Sequence, residues 1–524
     1  MRSVLAVVAA AASLLGGHHP PAHKGPIALA QRGIEQARVR GDLNVQEVAD
    51  YLAVLQRAGR AVSRLPDGRR ETLAAVLADV SRLWRAYTRP RAFVLFSTLD
   101  ENVRYLARHG VPADGTDVAG ADGTVYRFFA GHGLVFHPLA NFAALNGLVA
   151  RGDAAGAARL AGALLARAVP RGPALVWEYD FPFGSGRPPW ASGMAQAVAA
   201  QALARTSELT GDAALMDTAK AAFRAIPGPL VVRMPQGAWI RLYGFSDDLV
   251  LNAQLQAAIS LDDYAQIAHD PGAFALSSKL EQAAAALLPR FDTGYWSLYS
   301  LRGGESSLSY QDYVISLLRK IAVRTGDTTW RDAADRFAGY ETQQPILRAG
   351  GSTEVVYPEP ADGFRDEARF TFWLSKVSTV TLRAGTHRVS AELGHGWQTI
   401  SWFPGIATPG LYRPRLTAVD PAGNATTIPL RPLLVKEDAA PPAVTVHVAA
   451  PAWVSWTAVD EGTPWISLTV RLDQGKKHRV LELGNRPHHG VVRLRLPKGR
   501  WHATLLAANT ANRVSRVSLG VLPR

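Results

Sequence analysis

Cysteine is absent from this 524-residue chain, which removes disulfides, thiol nucleophiles and thiolate metal sites together. The absence does not argue against export, because a chain with sizeable cores has no need of covalent staples. Long apolar runs are missing too. The run Val4 to Leu15 falls short of the roughly 20 residues that a bilayer-spanning helix needs. Arg2 precedes it and Gly16-Gly17 ends it, so residues 1–24 read as a secretory signal peptide. No A-x-A cleavage site follows, which leaves an uncleaved anchor or a misassigned start open. The sequence has no H-E-x-x-H, no P-loop and no nucleophile elbow, and Gly184-Ser185-Gly186 lacks the lysine of a phosphate loop. The 14 histidines form no ligand set, with His18-His19 and His23 near the start and His488-His489 in a turn region. No cofactor and no metal are therefore expected.

What is present is a moderately charged, half-apolar composition (19% charged, 48% hydrophobic), as in packed globular domains. The length corresponds to roughly three to four domains. The formal charge is +13, carried mostly by arginine. Arginine's planar fork suits carboxylates, so an acidic polymer is one partner consistent with it, and charges scattered over a solvated surface are the other reading. No basic run interleaved with aromatics suggests nucleic acid.

Residues 28–108 are rich in Ala, Leu and Arg at helical spacing, as in Val45 to Leu55 and Thr72 to Ala86. Residues 110–135 are glycine-rich and read as loop. A helical region then runs to about residue 340 and contains a recurring unit. Thr210-Gly211-Asp212 is followed by Asp217, Ala219 and Phe223, Thr325-Gly326-Asp327 by Asp332, Ala334 and Phe337, and a looser copy starts at Gly152-Asp153. Glycine ends one helix and aspartate caps the next, which predicts helical hairpins in series, stacked as a solenoid or closed as a toroid.

Near residue 345 the pattern becomes alternating Val, Thr, Trp and Leu with Gly/Pro turns, the signature of sandwich strands. This part is duplicated. Thr381-Leu382-Arg383, Thr386 to Val389, Glu392-Leu393-Gly394, Tyr412 and Leu416 to Asp420 recur as Thr469-Val470-Arg471, Lys477 to Val480, Glu482-Leu483-Gly484, Trp501 and Leu505 to Asn509. With Pro421-Ala422-Gly423-Asn424, the first copy resembles bacterial immunoglobulin-like modules. The expected architecture is an N-terminal helical segment at 25–110, an all-α domain at 111–343, and two all-β sandwiches at 344–436 and 441–524.

Four short motifs occur in order: Pro189 to Gln196, Val250-Leu251-Asn252, Asp292 to Tyr299, and Ser309-Tyr310. Together they resemble the C-terminal helical domain of the D-glucuronyl C5-epimerases, over about residues 130–340. The resemblance implies an α/α toroid and inversion of one carbon of a uronic acid within a polysaccharide. It implies acid/base roles for Tyr299 and Tyr310, with Tyr243 assisting. The sequence departs from the family at Trp239-Ile240-Arg241-Leu242-Tyr243, where the family carries W-Y-E-E-Y and its glutamate. Gln311 and Val314 stand where the family has histidines.

Proton removal next to a carboxylate requires that carboxylate to be neutralised as the enolate forms, and Arg241 is a candidate for a bidentate contact. Asp247 and Asp248 stand on the stretch that lost the glutamate. Trp177-Glu178-Tyr179-Asp180 interleaves acids with rings, as a sugar cleft does. Trp190, Gln196, Asn252 and Trp296 complete the expected substrate-binding set. Alternatively, the tyrosines pack between helices with satisfied hydroxyls. The leading expectation is an exported protein, secreted or held in the cell envelope, acting on or recognising a uronate-containing polysaccharide. Its alternatives are a toroid lyase or glycoside hydrolase, and a non-catalytic polysaccharide-binding or scaffold protein.

Overall fold

The computed structural model describes residues 25–405, 407–450 and 452–523, so the signal or anchor assigned to residues 1–24 lies outside the described residues. Contacts divide the chain after Tyr340 into two compact units.

The first unit opens with four helices, α1 (Pro26–Val39), α2 (Val45–Val62), α3 (Arg69–Arg82) and α4 (Arg89–Arg108). Helix α2 begins with a capping box in which Asn44 and Glu47 satisfy each other's backbone amides. The bundle closes over Leu55, Leu73, Phe96 and Leu99, with Tyr51 stacked on Phe96. The glycine-rich stretch 110–135 departs from the loop expected there. It holds a three-stranded meander, β1 (Asp117–Ala119), β2 (Val125–Phe129) and β3 (Gly133–Phe136), with Gly120, Gly123 and Gly131 in the turns between strands too short to show an alternation.

Four helical hairpins follow: α5 (Pro138–Ala150) with α6 (Ala154–Leu165), and α7 (Gly193–Thr210) with α8 (Ala213–Arg224). Then come α9 (Leu251–Ala268) with α10 (Pro271–Leu287), and α11 (Leu308–Thr325) with α12 (Thr328–Tyr340). Two-stranded ribbons, β4 (Val169–Arg171)/β5 (Ala174–Val176) and β6 (Val231–Met234)/β7 (Gly237–Ile240), precede α7 and α9. The first helices of the hairpins pack side by side in the order α5, α7, α9, α11. Gly211 and Gly326 end α7 and α11 in the left-handed region (φ 72° and 71°), as the repeat predicts.

One amide side chain per hairpin ties the layers together. Each is the fourth residue of its inner helix: Asn141, Gln196, Gln254 and Gln311. Gln196 accepts from the Trp177 amide (3.0 Å) and donates to the Leu175 carbonyl (2.9 Å). Gln254 accepts from the Ile240 amide and donates to the carbonyls of Ala238 and Leu280, while Gln311 donates to that of Phe337 and accepts from the Ser297 amide. Asn141 does the same with the amide and carbonyl of Val125. These side chains satisfy backbone groups that would otherwise be buried without partners.

The second unit contains two β-sandwiches. The first is built from β8 (Leu347–Ser352), β9 (Val355–Val356), β10 (Ala368–Leu374), β11 (Ser378–Ala384), β12 (His387–Leu393) and β13 (Gly396–Trp402). It continues with β14 (Gly410–Tyr412), β15 (Arg415–Val419), β16 (Ala425–Pro429) and β17 (Leu433–Val435). Its main sheets run β13-β10-β8 and β12-β11-β15-β16, with a small sheet β14-β17-β9. The second sandwich has β18 (Ala443–Ala449), β19 (Trp453–Val459), β20 (Ile466–Gln474), β21 (Lys477–Arg486), β22 (His489–Arg493), β23 (Arg500–Ala508) and β24 (Val514–Pro523). Its sheets, β18-β19-β22 and β21-β20-β23-β24, repeat the order of the first. Inward residues alternate strictly, Phe370, Phe372 and Leu374 in one and Leu468, Val470 and Leu472 in the other.

Candidate functional site

Three tyrosines from two successive repeats meet in the first unit. Tyr243 follows β7 on a loop fixed by backbone bonds from Gly193 to Arg241 and from Gly244 to Ala191, each 2.8 Å. Tyr299 lies on the Asp292–Ser306 loop, whose backbone bonds to the start of α9, with the Leu251 amide donating to the Tyr299 carbonyl. Tyr310 is the third residue of α11, whose N-cap is Ser307. The hydroxyls of Tyr243 and Tyr299 are 3.4 Å apart. The rings of Tyr299 and Tyr310 meet edge to face at 4.8 Å, which brings the two phenols close enough to influence each other's ionisation. Burial pushes all three hydroxyls above the usual tyrosine range, so they stay protonated at neutral pH.

An aromatic recess adjoins the trio. Tyr179 stacks on Trp190 at 4.2 Å, Phe183 lies 5.2 Å from Tyr243, and Phe245 meets Trp190 edge-on. The recess shares His137 and Leu139 with a cavity of about 340 Å³ between the inner helices, lined also by Arg127, Gln201, Arg205, Gln256 and Tyr313. Arg127 pairs with Asp117 (2.6 and 2.8 Å), and its charge favours ionisation of Tyr310. His137 accepts the Ala140 amide at Nδ1, so its ring proton sits on Nε2. Burial and then Arg127 hold its pKa well below the ordinary value, which keeps it neutral. Lys320 stands at the cavity's exposed side without an ion pair among the described residues.

The expected substrate-binding set divides. Trp177 and Trp296 are fully buried, and their indole N–H groups are spent on the carbonyls of Leu164 and Ser306. Both belong to the core, as does Gln196, whose amide is consumed by the backbone as described. Glu178 is buried between Arg91 and Arg171 (2.8 and 2.6 Å), which makes it a structural ion pair. Asp180 is half-buried, its carboxyl pushed up to about 8 by desolvation and then by Glu178, and it lines a small space with Asp79 and His132 that holds none of the three tyrosines. Arg241 is engaged by exposed Asp247 (2.6 Å) and the Pro229 carbonyl. Tyr179 and Trp190 do line the recess. Asn252 lies buried beside this loop with neither amide atom hydrogen-bonded, and Asp248 has one buried oxygen without a partner. Asp248 is also close enough to Tyr243 to disfavour its ionisation. Missed in the sequence were Arg127 and His137, which fall in or just after the stretch read as loop.

Residues 171–339 match the D-glucuronyl C5-epimerase C-terminus. The epimerase match holds Tyr243, Tyr299 and Tyr310, while Arg127 and His137 precede it. No curated protein matches the chain. Among solved structures, similarity extends to the fibronectin(III)-like modules of Clostridium thermocellum CbhA, at 15% identity over 33% of this chain and 91% of that one, with a TM-score of 0.17. A GH76 alpha-mannanase, BT2949 of Bacteroides thetaiotaomicron, matches at 13% identity over 38% and 59% of the two chains, with a TM-score of 0.29.

Proposed function

We propose that this protein is exported and binds a uronate-containing polysaccharide in the cavity of the helical hairpins, which form an open α/α toroid. There it exchanges the proton at C5 of a uronate ring. The convergence of three tyrosine hydroxyls from two repeats within an epimerase-type domain carries this reading. Half-buried Tyr299 meets the sugar, and the more deeply buried Tyr310 lies behind it, within reach of the Arg127 charge. The C5 proton passes to the Tyr299–Tyr310 pair when that pair carries a negative charge, and Arg127 stabilises the charge. Tyr243 positions Tyr299. The electron pair left at C5 moves onto the substrate carboxylate, which the cationic cavity wall neutralises.

Return of the proton to the opposite face gives epimerisation. A second reading follows from the clustering of the three tyrosines, Tyr299 touching both Tyr243 and Tyr310. A base and an acid on the same face suit elimination, in which the neighbouring sugar leaves and a C4–C5 double bond forms.

Incubation of the protein with a glucuronate polymer in heavy water separates these outcomes by NMR. Deuterium at C5 in an intact chain supports epimerisation, an unsaturated chain end supports elimination, and neither product would sink both. Tyr299→Phe is expected to lower the rate by at least ~100-fold. Because the tyrosines rest protonated, the wild-type rate should climb with pH, by up to about tenfold per unit, across pH 7–9.

A further inference from the structure

The outer face of the sheet β13-β10-β8 carries two tryptophans in register. Trp373 on β10 lies opposite Trp397 on β13 and opposite Arg348 on β8, so one rung reads Arg348, Trp373, Trp397 across the sheet. The Arg348 guanidinium sits over the Trp373 ring, 5.2 Å from its centroid. Trp397 is 68% exposed. Its indole lies down across the sheet. A Cβ added at Gly350 would stand 2.7 Å from Cζ3 of Trp397 and 2.8 Å from the Thr371 hydroxyl. Glycine at 350 thus leaves room for a flat ring whose upper face meets solvent.

The surroundings of this ring are polar. The next rungs pair Thr371 with Thr399 and Arg369 with Ser401. A protein-binding hot spot centres an aromatic anchor among apolar neighbours that exclude water. Here a flat indole stands among hydroxyls, glycine and a guanidinium, which fits a pyranose: its axial C–H face stacks on the ring while its hydroxyls find donors and acceptors at the edge. Arg369 is engaged by Glu367 at 3.3 Å, whereas Arg348 has no ion pair among the described residues and remains available to a carboxylate. Among the described residues, the same face of the second sandwich has only Trp453, between Ala449 and Arg493, with no second indole beside it.

We propose that this face is a second glycan-binding site, separate from the cavity of the first unit. It takes a polysaccharide chain with one pyranose on Trp397 and a neighbouring uronate carboxylate on Arg348. The preference for an acidic chain rests on Arg348 together with the function proposed above, while the stacking platform does not depend on that function.

The test uses the full chain carrying Tyr299→Phe, which limits turnover, in affinity electrophoresis against an alternating N-acetylglucosamine–glucuronate polymer and against a neutral β-glucan. Trp397→Ala should weaken retardation by the acidic polymer about tenfold, equivalent to ~1.4 kcal/mol, and Trp397→Phe by less. Arg348→Ala should weaken acidic binding several-fold and flatten its salt dependence without affecting the neutral polymer. Trp397 is exposed, so its loss should leave hydrogen-exchange protection of β10 and β11 unchanged. Retardation of Trp397→Ala equal to that of its parent overturns the site, and an Arg348→Ala effect equal on both polymers overturns its acidic preference. In the wild-type background, Trp397→Ala should still catalyse C5 exchange on short oligosaccharides. Exchange absent while the Trp397 effect persists would remove the catalytic reading and leave the platform standing.

Discussion

In the first sandwich the end of β15 is held by a buried ion pair, Lys376 Nζ to Asp420 at 2.7 Å, with both side chains at most 1% exposed. Asn424 donates to both Asp420 oxygens, and the Asp420 amide donates to the Asn424 carbonyl. At the same place in the second sandwich β23 runs into Asn509, whose amide donates to the Arg513 carbonyl in the same turn. There the acids have moved to the other side of the contact. The Asn509 Nδ2 faces Asp438 (2.9 Å), Asp460 (3.2 Å) and the Ala440 carbonyl (3.0 Å). One corner neutralises its carboxylate with a full charge, whereas the other shares a neutral amide between two carboxylates. Asp362 adds a third negative group nearby and Arg513 opposes it, and burial followed by Asp460 pushes Asp438 up to about 6. Identical strand order therefore does not dictate identical electrostatics.

Breaking the ion pair should have the largest effect. Lys376→Met leaves Asp420 charged and buried without its cation, at a cost of about 3–5 kcal/mol. Hydrogen exchange should show β11 and β15 losing protection while β20 and β23 keep theirs. Equal loss in both sandwiches would mean that the two corners do not act locally.

The second corner should respond to pH instead. Asp438 holds a proton more tightly in the folded protein than in the unfolded chain, where its pKa is about 4. The folded state thus binds more protons between pH ~4 and ~6, and the second sandwich loses stability as pH rises through that window, then levels off. Intrinsic-rate-corrected protection of β20 and β23 at several pH values would show it. The smallest change belongs to Asp438→Asn, which removes one negative charge. It should stabilise the second sandwich at pH 7 by about 1 kcal/mol and abolish the slope between pH 4 and 6.

The duplication was visible in the sequence because its turns and strand ends keep their residues, from Thr381 and Thr469 through to Asp420 and Asn509. The hairpin repeat was visible wherever glycine precedes aspartate. The third copy escaped because His269 adopts the left-handed cap (φ 49°) before Asp270, a conformation usually left to glycine. The tyrosine trio was legible through motif order. Its surroundings were not, because aromatic and polar residues among acids look alike in sequence whether they line a cleft or fill a core. Trp177, Trp296 and Gln196 were misread for that reason. The exposed indole, Trp397, falls on the polar side of the alternation Trp397, Thr399, Ser401, and the inward partners Ile400 and Trp402 gave the contrast that reveals it.

The amide pins at positions 141, 196, 254 and 311 bear on how the helical repeat tolerates drift. A pin must accept from one backbone group and donate to another within the same reach, so glutamate, though the same shape as glutamine, fails at neutral pH for want of a hydrogen. The alanines around them on α7 (Ala195, Ala197, Ala199, Ala200) ask only for small volume. A lineage of such repeats can therefore rewrite most of its inner helices while these four positions stay restricted to two letters of the alphabet. The register they mark would align distant relatives after overall identity has faded.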